Sequence, residues 1–231
     1  TMGCTILGTS NRADPFNFPV MQEEKFIYID RSAQGVQNFE RLGLDALIAI
    51  GGDGTMAASD GMAKKGLNII GVPKTIDNDL FGTDQTFGFD SAVTTATDAL
   101  DKLHSTAQAH HRVMIVEVMG RYAGWLALAS GIAGGGDIVL IPEIPYELEI
   151  ICDTIRARNR NGRNFSIIVI GEGAKPKGGD IVVKRLVENS PDKVRLGGIS
   201  NQLAAQIEGI TTLETRVTIL GHLVRGGAPT S

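Results

Sequence analysis

Residues 45–73 read DALIAIGGDGTMAASDGMAKKGLNIIGVP, and this stretch decides the fold class. An apolar run at residues 45–50 ends at two glycines, a helical pattern follows at residues 55–65, and a second apolar run at residues 68–72 ends at Pro73. Short, continuous apolar runs are typical of strands buried on both faces of a parallel sheet. The stretch therefore predicts a βαβ unit with two buried, parallel strands.

The same alternation continues along the chain. Apolar runs predict three further strands, at residues 113–118, 137–141 and 165–170. Near-helical spacing of apolar residues predicts three further helices, at residues 90–106, 148–161 and 201–208. Residues 180–186 and 193–196 predict exposed strands or a hairpin-like excursion. Repeated strand–turn–helix units predict an α/β, Rossmann-like fold of open, mostly parallel sheets with helices on both faces.

Composition excludes several classes of protein. The 231 residues are 42% hydrophobic and 21% charged, which is typical of a globular chain. A net charge of −4 lacks the basic footprint of a nucleic-acid-binding protein, and the longest apolar runs are too short to span a membrane. No signal peptide opens the chain. Two cysteines, Cys4 and Cys152, cannot form a disulfide framework, which favours a reducing, cytoplasmic location.

The first glycine-rich loop, IGGDGT, lies between a predicted strand and a predicted helix. Its glycines allow backbone N–H groups to approach an anion, and the helix N-terminus adds partial positive charge. Asp53 fits this loop if Mg²⁺ lies between its carboxylate and phosphate oxygens, because Mg²⁺ prefers one or two carboxylates plus substrate phosphates. The alternative is a tight strand-to-helix turn in which the aspartate only caps the helix.

The second loop, PKTIDND, follows the next predicted strand. Of Asp77 and Asp79, one carboxylate can accept a proton from a hydroxyl nucleophile, while the other binds a metal ion or orients its neighbour. Thr75 and Lys74 add a hydroxyl donor and a cation for an anionic oxygen. The alternative is an Asx-rich turn. Because the two strands are expected to be neighbours, we expect both loops at the same edge of a sheet.

Further polar residues follow other predicted strands. Arg121 suits phosphate through its planar fork of donors. Glu172, flanked by glycines, fits hydrogen bonding to sugar hydroxyls, although a surface glutamate in a turn is the alternative. Three more anion-binding candidates occur in ETRVTILGHLVRGG, namely Arg216, His222 and Arg225.

The segments IGGDGT, PKTIDND, EVMGRYAGWLAL, GEG and ETRVTILGHLVRGG, in this order, resemble 6-phosphofructokinases along nearly the whole chain. The resemblance implies phosphoryl transfer from a nucleotide to the 1-hydroxyl of fructose 6-phosphate in an allosteric, cytoplasmic enzyme of glycolysis. It implies two similar α/β domains, with nucleotide binding in residues 1–88, fructose 6-phosphate binding in residues 89–222, and residues 223–231 crossing back to the first domain.

The resemblance also assigns roles to individual residues. The catalytic positions are the general base Asp77, its partners Thr75 and Asp79 in the same loop, and Arg121 near the transferred group. The sugar-phosphate positions are Met119, Gly120, Glu172, His222 and Arg225. The nucleotide positions are Gly52, Asp53, Gly54, Thr55, Lys74 and Arg12, with Asp53 linked to Mg²⁺. Two positions that reach the 6-phosphate from a neighbouring subunit are Arg112 and Arg216. These two arginines have no obvious partner within the chain, which predicts a homodimer or homotetramer with shared sites.

Departures from the family pattern leave alternatives open. The family's first βαβ unit and its C-terminal helices have no counterpart here, which predicts a chain truncated at both ends. Lys74 replaces the glycine of the common bacterial pattern and occurs with either phosphoryl donor. Gly54 predicts ATP, because pyrophosphate-dependent members carry aspartate there. A pyrophosphate-dependent enzyme and a non-catalytic phosphosugar-binding regulatory subunit remain alternatives, although the intact Asp77 argues against the latter. Relatives of NAD kinase or diacylglycerol kinase share GGDG but lack PKTIDND and MGR.

Overall fold

The computed structural model describes residues 5, 8–10, 13–186 and 194–230. The strands are β1 (Phe18–Gln22), β2 (Lys25–Ile29), β3 (Leu47–Gly51), β4 (Ile69–Pro73), β5 (Val113–Val118), β6 (Ile138–Leu140), β7 (Ser166–Gly171), β8 (Val183–Leu186), β9 (Val194–Leu196) and β10 (Thr215–Ile219). The helices are α1 (Ser32–Arg41), α2 (Asp53–Ala63), α3 (Phe89–His110), α4 (Trp125–Ala133), α5 (Leu148–Arg160) and α6 (Ile199–Thr211). A 3-10 helix covers Gly221–Arg225.

A parallel four-stranded sheet, in the order β10–β5–β7–β6, forms the core. Its central strands β5 and β7 are mostly β-branched and other apolar residues, with Glu117 and Ser166 as exceptions, and are buried along their whole length. Helices α3 and α4 pack on one face, and α5 and α6 pack on the other. This arrangement confirms the predicted parallel sheet with helices on both faces.

Strands β3 and β4 pair in parallel, as predicted, but form a separate two-stranded sheet. The prediction that both strands are buried on both faces is wrong, because Ile48, Ile50 and Ile70 are 63%, 60% and 58% exposed. Helix α2 packs against both strands, with the Met56 sulfur against Gly71. One helix can shield only one face of a two-stranded sheet, so apolar strand residues on the other face remain accessible to solvent within the described part of the chain.

Other elements differ from the sequence prediction mainly at their ends. Helix α2 begins at Asp53 rather than at residue 55, and α6 runs five residues beyond its predicted bounds in total. The sequence analysis missed the β1–β2 hairpin and α1. The predicted excursion at residues 180–186 and 193–196 is confirmed as the antiparallel pair β8–β9, although residues 187–193 lie outside the described residues. In the described part of the chain, no helix combines the length and apolarity needed to cross a membrane.

Candidate active site

The two predicted anion-binding loops leave the same edge of one sheet. Gly51 at the end of β3 pairs with Pro73 at the end of β4. The Lys74 N–H donates to the Gly51 carbonyl oxygen at 2.8 Å, so the second loop begins directly beside the first. The expectation that the two loops follow neighbouring strands is therefore confirmed.

Two glycines of the first loop differ in whether packing requires them. A Cβ at Gly51 would overlap the Thr55 side chain, so close packing requires glycine there. A Cβ at Gly54 would meet no described atom within 4 Å, and the backbone at Gly54 is not in the left-handed region. Neither packing nor backbone conformation therefore demands glycine at Gly54. Its effect is to keep the surface open beside Asp53, the exposed first residue of α2.

Asp77 is the chemically distinctive residue of the second loop. It is 6% exposed, and its Oδ1 atom is buried with no hydrogen-bond partner among the described residues. Burial raises the pKa of the Asp77 carboxyl, and the negative charge of Asp79 raises it further. A buried carboxylate oxygen without a donor is costly unless a ligand supplies one.

Positive charges from three parts of the chain act on this carboxylate. The charges of Arg225, Arg121 and Lys74 each lower the pKa of Asp77 and so partly oppose the effect of burial. Arg225 ends the 3-10 helix, Arg121 follows β5 and Lys74 follows β4. Positive charges that follow different elements therefore act on one buried carboxylate, an arrangement suited to an anionic ligand.

Glu172 is held beside Arg121 by the pairing of β5 with β7. The Glu172 N–H donates to the Val118 carbonyl at 2.9 Å, and the Arg121 N–H donates to Glu172 Oε1 at 3.2 Å. Burial raises the pKa of Glu172; the Arg121 backbone N–H opposes this, while the charges of Glu117 and Asp77 raise the pKa further. Glu172 and Asp77 are therefore close enough to interact electrostatically, although they follow strands of different sheets.

Two glycines shape the turn that follows β5. Gly120 has a φ of 140°, and a Cβ there would lie 2.5 Å from the Ala123 carbonyl oxygen. A Cβ at Gly173 would overlap the carbonyl oxygen of Arg121, which itself has a φ of 52°. The turn that carries Arg121 is therefore packed against the GEG segment with no room for a side chain. The sequence analysis did not single out Gly173, although its place beside Glu172 was the available signal.

Arg112 and Arg216 lie at the opposite end of the four-stranded sheet. Arg112 directly precedes β5, and Arg216 pairs with Met114 near the start of that strand. Six strand residues span roughly 20 Å, so within one chain both backbones are distant from the carboxyl end. The expectation that these arginines lack a partner within the chain is wrong. Arg112 Nε donates to Glu214 Oε2 at 2.6 Å, and Arg216 pairs with the other oxygen of Glu214.

The remaining predicted residues are also located. His222 is exposed in the 3-10 helix, three residues before Arg225. Met119 directly follows β5 and packs partly against the core. Lys74 and Asp79 are exposed. Arg12 lies outside the described residues.

The donor set for a metal ion is small. Among the described residues, no three His, Cys, Asp or Glu side chains are grouped to hold a metal. The exposed Asp53 carboxylate beside an open helix N-terminus fits Mg²⁺, which needs only one or two protein carboxylates when substrate phosphates complete its ligands. It does not fit a metal that demands a dedicated protein cage.

Glu117 is a buried charge that the sequence analysis missed. Its carboxylate accepts hydrogen bonds from the Gly198 and Ser200 N–H groups, at 3.2 and 3.1 Å, and from the Ser200 hydroxyl. These bonds attach the N-terminus of α6 to β5, where a carboxylate also interacts favourably with the helix dipole. A charged residue within an otherwise apolar strand was the available signal.

Comparisons with known proteins agree with one another. The family model described as Phosphofructokinase matches residues 1–231. ATP-dependent 6-phosphofructokinase 2 of Clostridium perfringens is 53% identical over 227 residues, which are 97% of this chain and 62% of that relative. ATP-dependent 6-phosphofructokinase of Chloroflexus aurantiacus is 48% identical, over 98% of this chain and 61% of that relative. The chain therefore spans about three fifths of the length of these curated relatives.

Solved structures extend the similarity to the fold. Pichia pastoris phosphofructokinase in the T-state matches 99% of this chain and 23% of that chain, with a TM-score of 0.78 and 30% identity. Pyrophosphate-dependent phosphofructokinase from Marinobacter aquaeolei matches 84% of this chain and 49% of that chain, with a TM-score of 0.68 and 25% identity.

Proposed function

This chain belongs to the phosphofructokinase family, and from that premise we propose that the protein transfers a phosphoryl group from ATP to the 1-hydroxyl of fructose 6-phosphate. The products are ADP, which leaves as its bond to the transferred phosphoryl group breaks, and fructose 1,6-bisphosphate, whose formation commits carbon to glycolysis. The observation that carries this proposal is the buried Oδ1 atom of Asp77, which has no hydrogen-bond partner among the described residues and lies within the electrostatic influence of three cations.

Asp77 acts as the general base in this mechanism. Its unpartnered oxygen accepts the proton of the sugar hydroxyl as that hydroxyl attacks the phosphorus atom. The raised pKa of Asp77 makes its carboxylate a stronger base than an exposed aspartate. Two residues of the same loop support it: the Thr75 Oγ1 atom accepts the Asp77 N–H at 3.2 Å, and the charge of Asp79 raises the pKa of Asp77.

Electrostatic stabilisation of the transferred group falls to the cations. Phosphoryl transfer spreads negative charge over the equatorial oxygens, so catalysis depends on positioning and on fixed positive charge. Arg121 and Lys74 supply that charge beside Asp77, from two different strand ends. Their backbones are held by the turn packed on Gly173 and by the Lys74–Gly51 hydrogen bond.

The nucleotide binds at the first loop. Gly52, Gly54 and Thr55 present the N-terminus of α2 to the phosphates. Asp53 would hold Mg²⁺, which neutralises phosphate charge when bound. The open space at Gly54 supports ATP as the donor, since the α-phosphate and nucleoside need a path that pyrophosphate does not. The named ATP dependence of relatives at 48–53% identity also supports it.

The sugar phosphate binds at the carboxyl ends of β5, β7 and β10. Glu172 accepts hydrogen bonds from sugar hydroxyls, while Met119 and Gly120 line the same turn. His222 and Arg225 bind its anionic part. The division of the chain at residues 88 and 222 belongs to this proposal, and the separation of the β3–β4 sheet from the four-stranded sheet supports it.

A homodimer or homotetramer completes the sugar-phosphate site. Arg112 and Arg216 lie at the amino end of their own sheet, so they can serve a 6-phosphate only in a neighbouring subunit. Their shared contact with Glu214 gives them a resting partner when no phosphate is bound. Sedimentation of the full-length protein tests this point, and an active monomer would contradict it.

A coupled assay of the full-length protein tests the reaction. Fructose 6-phosphate is supplied with ATP, with pyrophosphate or with no donor, and formation of fructose 1,6-bisphosphate is measured. We expect turnover with ATP and Mg²⁺. Faster turnover with pyrophosphate than with ATP would show that pyrophosphate is the donor. Binding of fructose 6-phosphate without turnover with either donor would favour a non-catalytic regulatory subunit.

A further inference from the structure

The loop that carries Asp77 begins and ends at one anchored point. Its first part leaves β4 at Pro73, and its last part returns so that the Phe87 N–H donates to the Pro73 carbonyl at 2.9 Å. Helix α3 begins two residues later, at Phe89. The ends of the loop are thus fixed by a strand and a helix, while the segment between them must be held by its own contacts.

The Asn78 side chain makes the first of these contacts. Asn78 Oδ1 accepts the Thr86 N–H at 2.8 Å, and its amide nitrogen lies 3.5 Å from the Asp84 carbonyl oxygen. Asn78 has a φ of 53°, in the left-handed region that asparagine tolerates better than most residues. One side chain therefore connects the two arms of the loop across eight residues.

Thr86 makes the second contact. It is 2% exposed, and its hydroxyl donates to the Thr75 carbonyl at 2.8 Å. Thr75 in turn accepts the Asp77 N–H on its own hydroxyl oxygen. Asn78, which follows Asp77, and Thr75, two residues before Asp77, are therefore both hydrogen-bonded to Thr86.

Asp77 itself has no such restraint on Oδ1. That atom has no partner among the described residues, so hydrogen bonds do not fix its direction. The backbone at Asp77 is held through Thr86, so this hydrogen-bond network sets the position from which the Asp77 side chain extends.

We propose that Asn78 and Thr86 are positioning residues that aim the Asp77 carboxylate at the substrate hydroxyl. This inference rests on the proposed function, because it gives Asp77 the role of base. The side-chain hydrogen bonds described for these two residues run within the loop itself. The two residues act through Asp77 by closing the loop on the end of β4 and the start of α3.

The first test is Asn78→Gly in the full-length enzyme. Glycine accepts a positive φ without strain, so this variant removes the side-chain bonds and leaves the backbone conformation available. We expect kcat to fall about 10²-fold, the effect of a misplacement of about 1 Å, with little change in KM for either substrate. A thermal melt of the same sample checks that the variant is folded.

Thr86 provides a matched pair of variants. Thr86→Val keeps the shape and the backbone N–H that Asn78 accepts, but it removes the hydroxyl, which donates to the Thr75 carbonyl at 2.8 Å and to Asn78 Oδ1 at 3.3 Å. Thr86→Ser keeps that hydroxyl. We expect a lower kcat in Thr86→Val, by less than in Asn78→Gly, and a kcat near that of the wild type in Thr86→Ser. Equal activity of the two variants would overturn the role of Thr86.

A double variant separates positioning from a general loss of structure. If Asn78 acts through Asp77, then Asp77→Asn combined with Asn78→Gly has the same kcat as Asp77→Asn alone. If the losses of kcat in the two single variants add in the double variant, or if Asn78→Gly has the kcat of the wild type, the positioning role is wrong. Neither result contradicts the proposed reaction. Absence of turnover in the wild type removes the proposed function and this inference together.

Discussion

Carboxylates at the carboxyl ends of the strands and at the amino end of the four-stranded sheet have opposite environments. At the carboxyl ends, Asp77 after β4 is buried and Glu172 after β7 is half-buried, and burial raises the pKa of each. At the amino end, Glu214 is bonded to Arg112 and Arg216, and the hydrogen bond from Arg112 lowers its pKa most. At the carboxyl ends, the Asp77 Oδ1 atom has no hydrogen-bond partner among the described residues, whereas at the amino end two cations of the chain itself satisfy Glu214.

The difference distinguishes a carboxylate suited to proton transfer from arginines suited to phosphate binding. A carboxylate that lacks donors can accept a proton from a substrate, whereas one already paired with two arginines is a poor base. The arginines at the amino end can exchange Glu214 for a phosphate, because an exposed ion pair contributes little stability. The following variants test this difference between the two groups of residues.

Removing the base has the largest expected effect. Asp77→Asn keeps the shape of the side chain but cannot accept the hydroxyl proton, so kcat should fall by roughly 10²–10⁴. KM values and circular dichroism should change little. Asp84→Asn, an exposed aspartate in the same loop, is the matched control. Near-normal kcat in Asp77→Asn would remove the assignment of the base.

Charging the first loop should change the phosphoryl donor. The chain leaves room at Gly54, so Gly54→Asp adds a charge beside the α-phosphate without a clash against described atoms. Two charges about 4 Å apart repel by roughly 4 kcal/mol at an effective dielectric of 20. That energy corresponds to about a thousandfold loss of kcat/KM with ATP.

The uncharged variant Gly54→Ala distinguishes charge from size. It adds only a Cβ in open space, so it should use ATP nearly as well as the wild type. Comparison of kcat/KM for ATP and pyrophosphate across the three proteins is the measurement. Undiminished use of ATP by Gly54→Asp would show that this residue does not select the donor.

Removing an arginine at the amino end should affect binding rather than chemistry. Arg216→Ala is expected to raise KM for fructose 6-phosphate about 10-fold to 100-fold, because a hydrogen bond to a charged group contributes about 1.5–3 kcal/mol. The value of kcat should change much less. Arg160→Ala is the control, since this exposed arginine ends α5 at the same edge of the sheet. A loss confined to kcat would contradict a binding role for Arg216.

The two ends should also respond oppositely in stability. The pKa of Asp77 is raised on folding, so its charged form weakens the fold above that pKa. At neutral pH, Asp77→Asn should therefore raise Tm by roughly 2–4 °C per kcal/mol of desolvation removed. The pKa of Glu214 is lowered on folding, so its contribution is present above its unfolded pKa and lost as pH falls through its folded pKa.

Glu214→Gln should consequently lower Tm slightly at neutral pH and have no effect in acid. Thermal melts of both variants across a pH series check the signs. A decrease of Tm in Asp77→Asn at neutral pH would show that the surrounding cations outweigh burial in the wild type.

Local patterns determined much of the fold. The apolar run at Val113–Val118 gave a strand with the predicted bounds, and IGGDGT gave a strand, a turn and a helix in that order. These features depend on residues close together in the chain, which is why a single sequence predicts them. The exposure of β3 and β4 was not predictable, because apolar content does not say which elements are present to cover a strand.

The amino-acid sequence alone shows that the protein has two glycine-rich loops, the carboxylates of TIDND and the arginines of MGR and ETR. Which of these charged side chains contact or influence one another follows only from the tertiary structure. Asp77 and Glu172, ninety-five positions apart in the chain, lie close enough to influence each other, whereas Arg112 and Arg216 are paired with Glu214. Burial and long-range pairing depend on how strands assemble into sheets, and that assembly sets whether a carboxylate is basic or neutralised.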